Sequence, residues 1–200
     1  GDAEWAKLMT KGIDNLITEL AENDEIVYTL FKKINESHWI TDKLDSSYCY
    51  FRQAYTTSDD KEEIALYEKA IELDSENAAA YINLGIVFYA QEEMDQAVEA
   101  YEKAIELDPK YAMAYNNLGC VFDAQEELDR AVEVYEKAIE LDPKDAVAYY
   151  NLGNTFYTQE EWDRAVEAYE KAIALDPKYA LAYNNLGSVF KAKEELDRAI

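Results

Sequence analysis

Apolar and polar positions alternate along the middle of the chain in a way that defines short helices separated by polar breaks. In 112–125, AMAYNNLGCVFDAQ, the apolar Met113, Leu118, Val121 and Phe122, with Tyr115, fall at helical spacing. A polar break, EELD, follows at 126–129. In AVEVYEKAIELD, 131–142, Val132, Tyr135, Ile139 and Leu141 take one inner side, and Pro143 disfavours helix at Asp142 and ends the run. The pattern predicts a pair of helices. Glu99–Lys103, Glu133–Lys137 and Glu167–Lys171 stand at i,i+4 in the favourable order, each expected to add about 0.2–0.5 kcal/mol on the outer side.

The pair recurs. Tyr81, Tyr115, Tyr149 and Tyr183 are each 34 residues apart, and the same step links Leu84, Leu118, Leu152 and Leu186. It also links Gly85, Gly119, Gly153 and Gly187, then Ala97, Ala131, Ala165 and Ala199, and finally Pro109, Pro143 and Pro177. A fixed period of this size marks a solenoid, whose units bury their faces against their neighbours. Glycine in an exposed helix costs about 1 kcal/mol relative to alanine. Its return in four copies predicts a second helix too close to admit a β-carbon, with Tyr101, Tyr135 and Tyr169 filling in around small Ala97, Ala104 and their copies.

These residues resemble the tetratricopeptide repeat (TPR) family. In the copy starting at 112 the matching positions are Tyr115, Leu118, Gly119, Phe122, Ala131, Tyr135, Ala138 and Pro143, and all eight also agree in the copies starting at 78 and 146. The resemblance implies an all-α fold, an α-solenoid of antiparallel helix pairs forming a right-handed superhelix. Complete repeats are expected at 78–111, 112–145 and 146–179. An incomplete one is expected at 180–200, stopping early in its second helix. Where the family often has a small residue at the inner turn, this chain has Glu92, Glu126, Glu160 and Glu194.

A degenerate unit is expected at 42–77. EKAIELD at 68–74 copies 102–108, but the first helix has lost Leu-Gly and carries Tyr50 and Phe51 there. Residues 1–41 show no repeat phase. Trp5, Leu8, Met9, Ile13, Leu16, Ile17 and Leu20 predict an amphipathic helix over about 3–22, and Ile26, Val27, Leu30, Phe31 and Ile34 a second. These form either an N-terminal cap on the first repeat or docking helices for another chain or a second copy.

Four columns vary among the copies: Ala79/Met113/Val147/Leu181, Ile82/Asn116/Tyr150/Asn184, Ile86/Cys120/Asn154/Ser188 and Tyr89/Asp123/Tyr157/Lys191. Their spacing makes one helical stripe. The family resemblance implies that first helices line a concave groove, and so places the stripe there. Asn83, Asn117, Asn151 and Asn185 edge it, one per repeat. Each amide offers two donors and an acceptor. By resemblance to the TPR arms of O-linked N-acetylglucosamine transferases and some cargo adaptors, such a ladder would hold the backbone of an extended peptide. The other reading is hydrogen bonding between neighbouring repeats. TPR domains that grip the carboxylate ends of heat-shock chaperones carry several cations beside the asparagines. Here Lys191 is the only basic residue in the four columns, so an uncharged or basic segment is expected instead.

Composition narrows the classes further. With 43 acidic and 19 basic residues the formal net charge is −24, spread along the chain. Such a surface repels nucleic acid and anionic lipid, and no apolar run approaches the ~20 residues of a membrane span. The chain opens on Gly-Asp rather than Met, so an upstream segment is expected to have been removed. Cys49 and Cys120 have no metal-ligand spacing, which suggests reduced thiols in a cytoplasmic compartment. His38, the single histidine, has no nucleophile around it, and paired acids such as Glu92–Glu93 suit helix N-terminal turns. No enzyme, metal or cofactor is expected. The expected role is a scaffold or adaptor for an extended, neutral-to-basic peptide segment. The alternative is a homo-oligomeric assembly through the N-terminal helices or the open last repeat, as in TPR proteins that coat bacterial magnetosomes.

Overall fold

The computed structural model describes residues 44–57 and 59–199. The helices expected within 1–41 lie outside them. The chain divides into two compact units, residues 1–75 and 76–200.

In the first unit α1 (Leu44–Thr56) pairs with α2 (Asp60–Leu73). Asp59 caps α2 by accepting from the N–H groups of Lys61 and Glu62. Phe51, standing where the later copies have glycine, meets the buried Tyr67 edge-on, with ring centroids 5.7 Å apart. Ser47 Oγ donates to the Ala70 carbonyl at 2.8 Å. The degenerate pair therefore keeps the buried tyrosine and replaces its glycine seat with another ring.

The second unit contains α3 (Ala78–Ala90), α4 (Met94–Leu107), α5 (Ala112–Ala124), α6 (Leu128–Leu141), α7 (Ala146–Thr158), α8 (Trp162–Leu175) and α9 (Ala180–Ala199). Helices pair as α3–α4, α5–α6 and α7–α8, and each pair packs on the next. Second helices begin three residues earlier than the apolar pattern implied, because the inner turn needs only three residues.

That turn is a Schellman-type stop. Glu127 N–H donates to Phe122 O at 2.8 Å and Glu126 N–H to Asp123 O at 3.1 Å, with equivalent bonds after α3 and α7. The closing residue is left-handed, with φ of 61°, 61° and 62° at Glu92, Glu126 and Glu160. A side chain there costs about 1 kcal/mol, which glycine would avoid. At the other end Asp108, Asp142 and Asp176 cap the second helices. Their carboxylates accept from Lys110, Lys144 and Lys178 N–H at 3.0, 3.1 and 2.9 Å, turning the chain at each proline.

The core of each pair is a tyrosine seated on a glycine. Tyr101, Tyr135 and Tyr169 are buried, and a β-carbon on Gly85, Gly119 or Gly153 would lie 2.7, 2.5 or 2.7 Å from the ring of its partner tyrosine. The close approach expected at glycine is thus a ring rather than a passing backbone. Ala97, Ala104 and their copies are buried beside it.

Two expectations are corrected. Lys103 and Lys137 pair with Glu106 and Glu140 at i+3, at 2.6 and 2.7 Å, rather than with the preceding glutamates. Ala174 leaves Lys171 no such partner, and its ammonium stands 6.0 Å from the Tyr149 ring centroid. Secondly, the fourth copy does not turn at Glu194, because α9 runs on to Ala199. Nothing lies within 4 Å of a β-carbon on Gly187. Without a ring buried there to offset a left-handed glutamate, ordinary helix is the lower-energy continuation. Among the described residues no helix is long and apolar enough to cross a membrane.

The contrast yields a test by urea or thermal unfolding. Gly119→Ala should lose about 1–3 kcal/mol by forcing the Tyr135 ring from its seat. Gly187→Ala should be neutral or gain up to about 1 kcal/mol from helix propensity.

Candidate protein-interaction face

The variable stripe lies on the first helices of the second unit, and the structure sorts its members. Ile86, Tyr89, Met113, Val147, Tyr157 and Leu181 are exposed despite their size. Asn184, Ser188 and Lys191 are exposed as well, while Cys120, Asp123, Tyr150 and Asn154 are half-buried. Ile82 and Asn116, expected at the groove, are instead buried at 1% and 7% exposure. That column faces the packed side of the helix, so its members line the face only where the later copies open it.

The asparagines are half-buried, and their bonds run between repeats. Asn151 Nδ2 donates to Asn116 Oδ1 at 3.1 Å and toward Cys120 Sγ at 3.6 Å. Asn185 Nδ2 donates to Asn154 Oδ1 at 2.8 Å and to Tyr150 Oη at 3.2 Å. Burial raises the Tyr101 and Tyr169 phenols, and the amides of Asn117 and Asn185 partly oppose it. The physical cause is the seat described above. A tyrosine buried over glycine carries its hydroxyl into the stack, where an unpaired polar group costs about 1–3 kcal/mol. At Tyr101 and Tyr169 the next repeat brings an amide, Asn117 or Asn185, near the hydroxyl, whereas Tyr135 is met within its own repeat by Asp123. The amide nitrogens of Asn151 and Asn185 are engaged by side chains of the preceding repeat.

One cluster differs from the rest. Tyr135 O–H donates to Asp123 Oδ2 at 2.9 Å, with Cys120 Sγ 3.4 Å from the same oxygen. Thr155 Oγ1, on the following repeat, lies 2.9 and 3.0 Å from the two Asp123 oxygens. Tyr169 O–H in the next repeat donates to Asn154 Oδ1 at 2.7 Å. Burial raises the Asp123 carboxyl above the usual aspartate value, and the Thr155 and Tyr135 hydrogen bonds only partly oppose it. Burial also raises the Cys120 thiol, and the phenol of Tyr89, which feels both Cys120 and Asp123. The Tyr169 phenol is pushed up to about 12, chiefly by burial. Tyr150 stacks at a tilt on Tyr179, with centroids 5.0 Å apart, and lies 6.0 Å from Tyr169.

Side chains at the inner turns and the matching stretch of α9 add further links. Gln125 Nε2 reaches Asp95 at 3.5 Å, Gln159 Nε2 reaches Asp129 at 2.9 Å, and Lys193 pairs with Asp163. Arg130 and Arg164 lie 3.9 and 3.8 Å over the rings of Phe122 and Phe156, beside the inner turns. Sequence reasoning missed these arginines, although their coincidence with the Phe column was available as a signal.

With helix pairs, seat and stripe in place, three family models match, described as tetratricopeptide repeat over 76–144 and 134–167 and as TPR repeat over 153–193. A solved structure of MamA protein is 30% identical, with a TM-score of 0.68, covering 77% of this chain and 86% of that one. The chain belongs to the tetratricopeptide repeat family. MamA 41-end from Desulfovibrio magneticus RS-1 is 23% identical with a TM-score of 0.70, covering 79% of this chain and 91% of that one. The first TPR of Spaghetti (RPAP3), bound to the HSP90 peptide SRMEEVD, is 22% identical with a TM-score of 0.58, covering 60% of this chain and 96% of that one. Among curated protein sequences, none matches this chain. As a TPR protein the chain is a protein-interaction scaffold.

Asp123 has a measurable signature. Because its folded-state pKa stands above the unfolded value, it adds stability that is fully present below about pH 4 and lost as pH rises through the folded value. Asp123→Asn keeps an acceptor for Thr155 without the charge. Its Tm should equal or exceed that of the native chain near neutral pH, and the difference should shrink as pH falls toward the acid range. A variant less stable at neutral pH would show instead that the carboxylate is needed for packing.

Proposed function

We propose that the second unit holds an extended segment of a partner protein along the first-helix stripe. The observation that carries this reading is the exposure of large apolar side chains in one stripe of otherwise well-packed helices. Met113 and Val147 are 45% and 46% exposed, and Tyr89 and Tyr157 both 37%. An exposed apolar stripe with polar groups set into it suits a protein interface. The Spaghetti TPR, which is bound to a peptide, supports the general mode. The chemistry favoured here is different from that acidic peptide. The stripe contributes Asn, Tyr and aliphatic groups with one carboxylate, Asp123, and the whole chain is strongly acidic. A neutral or basic segment fits, its backbone N–H groups meeting the carbonyls of Asn151 and Asn185, and the residues act in binding rather than catalysis.

The test is selection of peptides from a random display library against the full chain. Bound peptides should weaken about tenfold or more when Met113 and Val147 are both changed to Asp, since this removes apolar contact and adds buried charge. Glu133→Ala, on the outer side, should leave them unchanged. Equal loss from both variants, or loss from neither, would remove the stripe from the reading.

A second reading, self-association, is favoured by α9. Its framework ring Phe190 is 52% exposed, whereas Phe88, Phe122 and Phe156 in the same column are buried. Light scattering over a concentration series should show mass rising with concentration if a second copy covers this face. A constant monomer mass would reject it.

A further inference from the structure

Two departures from the repeat pattern meet at one point. The column of Asp123 carries Tyr89, Tyr157 and Lys191 in the other copies, and the column of Thr155 carries Val87, Val121 and Val189. Asp123 and Thr155 lie on neighbouring repeats and bond each other, Thr155 bridging both carboxylate oxygens. Tyr135 holds Oδ2 from the second helix of the same repeat. Tyrosine fills this column in two copies whose helices pack in the same way, so the framework closes without a carboxylate. Partly burying one has a cost, and among the described residues no ion pair offsets it.

What the arrangement provides is an oriented negative charge on an interaction face. Two hydroxyl groups fix its direction, and a carboxylate has lone pairs beyond those they occupy. Tyr89 and Tyr157 stand in the same column one repeat to either side, both partly exposed, and Tyr89 is close enough to Asp123 to feel its charge. A cation over such rings is attracted by their faces as well as by the carboxylate. The chain's net charge of −24 draws basic segments toward it from a distance. We propose that Asp123, oriented by Thr155 and Tyr135 and flanked by Tyr89 and Tyr157, anchors a lysine or arginine side chain of the partner segment. This specifies the peptide-binding reading above and rests on it.

The same random-peptide library separates the two. Panned against the native chain, it should return peptides enriched about fivefold or more in Lys or Arg at one fixed position. Panned against Asp123→Asn, it should still return peptides, with that enrichment gone. Asp123→Tyr, the residue of two other copies, should behave in the same way, and Glu133→Gln should keep the enrichment. Undiminished enrichment in both Asp123 variants, or basic residues spread over every position, would overturn the anchor while leaving peptide binding in place. Recovery of no peptide by the native chain would overturn both.

Discussion

A tyrosine ring lying on a glycine holds each helix pair of the second unit together, and much of the rest follows from it. The ring replaces a β-carbon that would stand 2.5–2.7 Å away, so glycine is required and the helices close tightly. The same placement buries a phenol, which raises its pKa and demands a hydrogen-bond partner inside the stack. At Tyr101 and Tyr169 the asparagine two positions before the next copy's glycine lies within reach, while Asp123 serves Tyr135. Glycine, tyrosine and asparagine thus recur as one constraint spread over two repeats. The fact that YNNLG returns word for word at 115–119 and 183–187 has a mechanical reason before it has a functional one.

Because the seat is the same in every complete pair, it leaves the outward stripe free to differ. Val147 and Met113 can exchange size without disturbing a tyrosine on the other side of the helix. Asp123 shows how far this freedom extends. A partly buried carboxylate is accepted there because Thr155 and Tyr135 satisfy its oxygens, and Cys120 and Asn151 complete a polar cluster across the repeat boundary. Packing and interaction chemistry share side chains at this point, as they do at Asn154 and Tyr150 one repeat on.

Much of this was legible in the sequence. The 34-residue step, the helix pairs, the proline stops and the stripe all follow from periodicity, which depends only on side-chain direction along a helix. What could not be read needed a third dimension. The burial of Ile82 and Asn116 depends on which edge of the stripe the neighbouring helix covers. The sequence left two readings of Asn151 and Asn185, and the bonds they make between repeats depend on where the polar side chains of the preceding repeat end. The left-handed glutamates carry no signal of their own, since any residue can be forced there once the flanking helices are buried. The run of α9 through Glu194 is the converse case, where identical local residues take the other conformation because the ring seat is empty.

The side-chain bonds of Asn151, Thr155 and Asn185 connect each repeat only to the adjacent one. Such an array has no single nucleus, and its cooperativity extends no further than the chain of neighbour-to-neighbour couplings allows. Amide protons near Tyr135, coupled on both sides, should therefore exchange with solvent more slowly than those of α9, where the array opens by fraying rather than by global collapse.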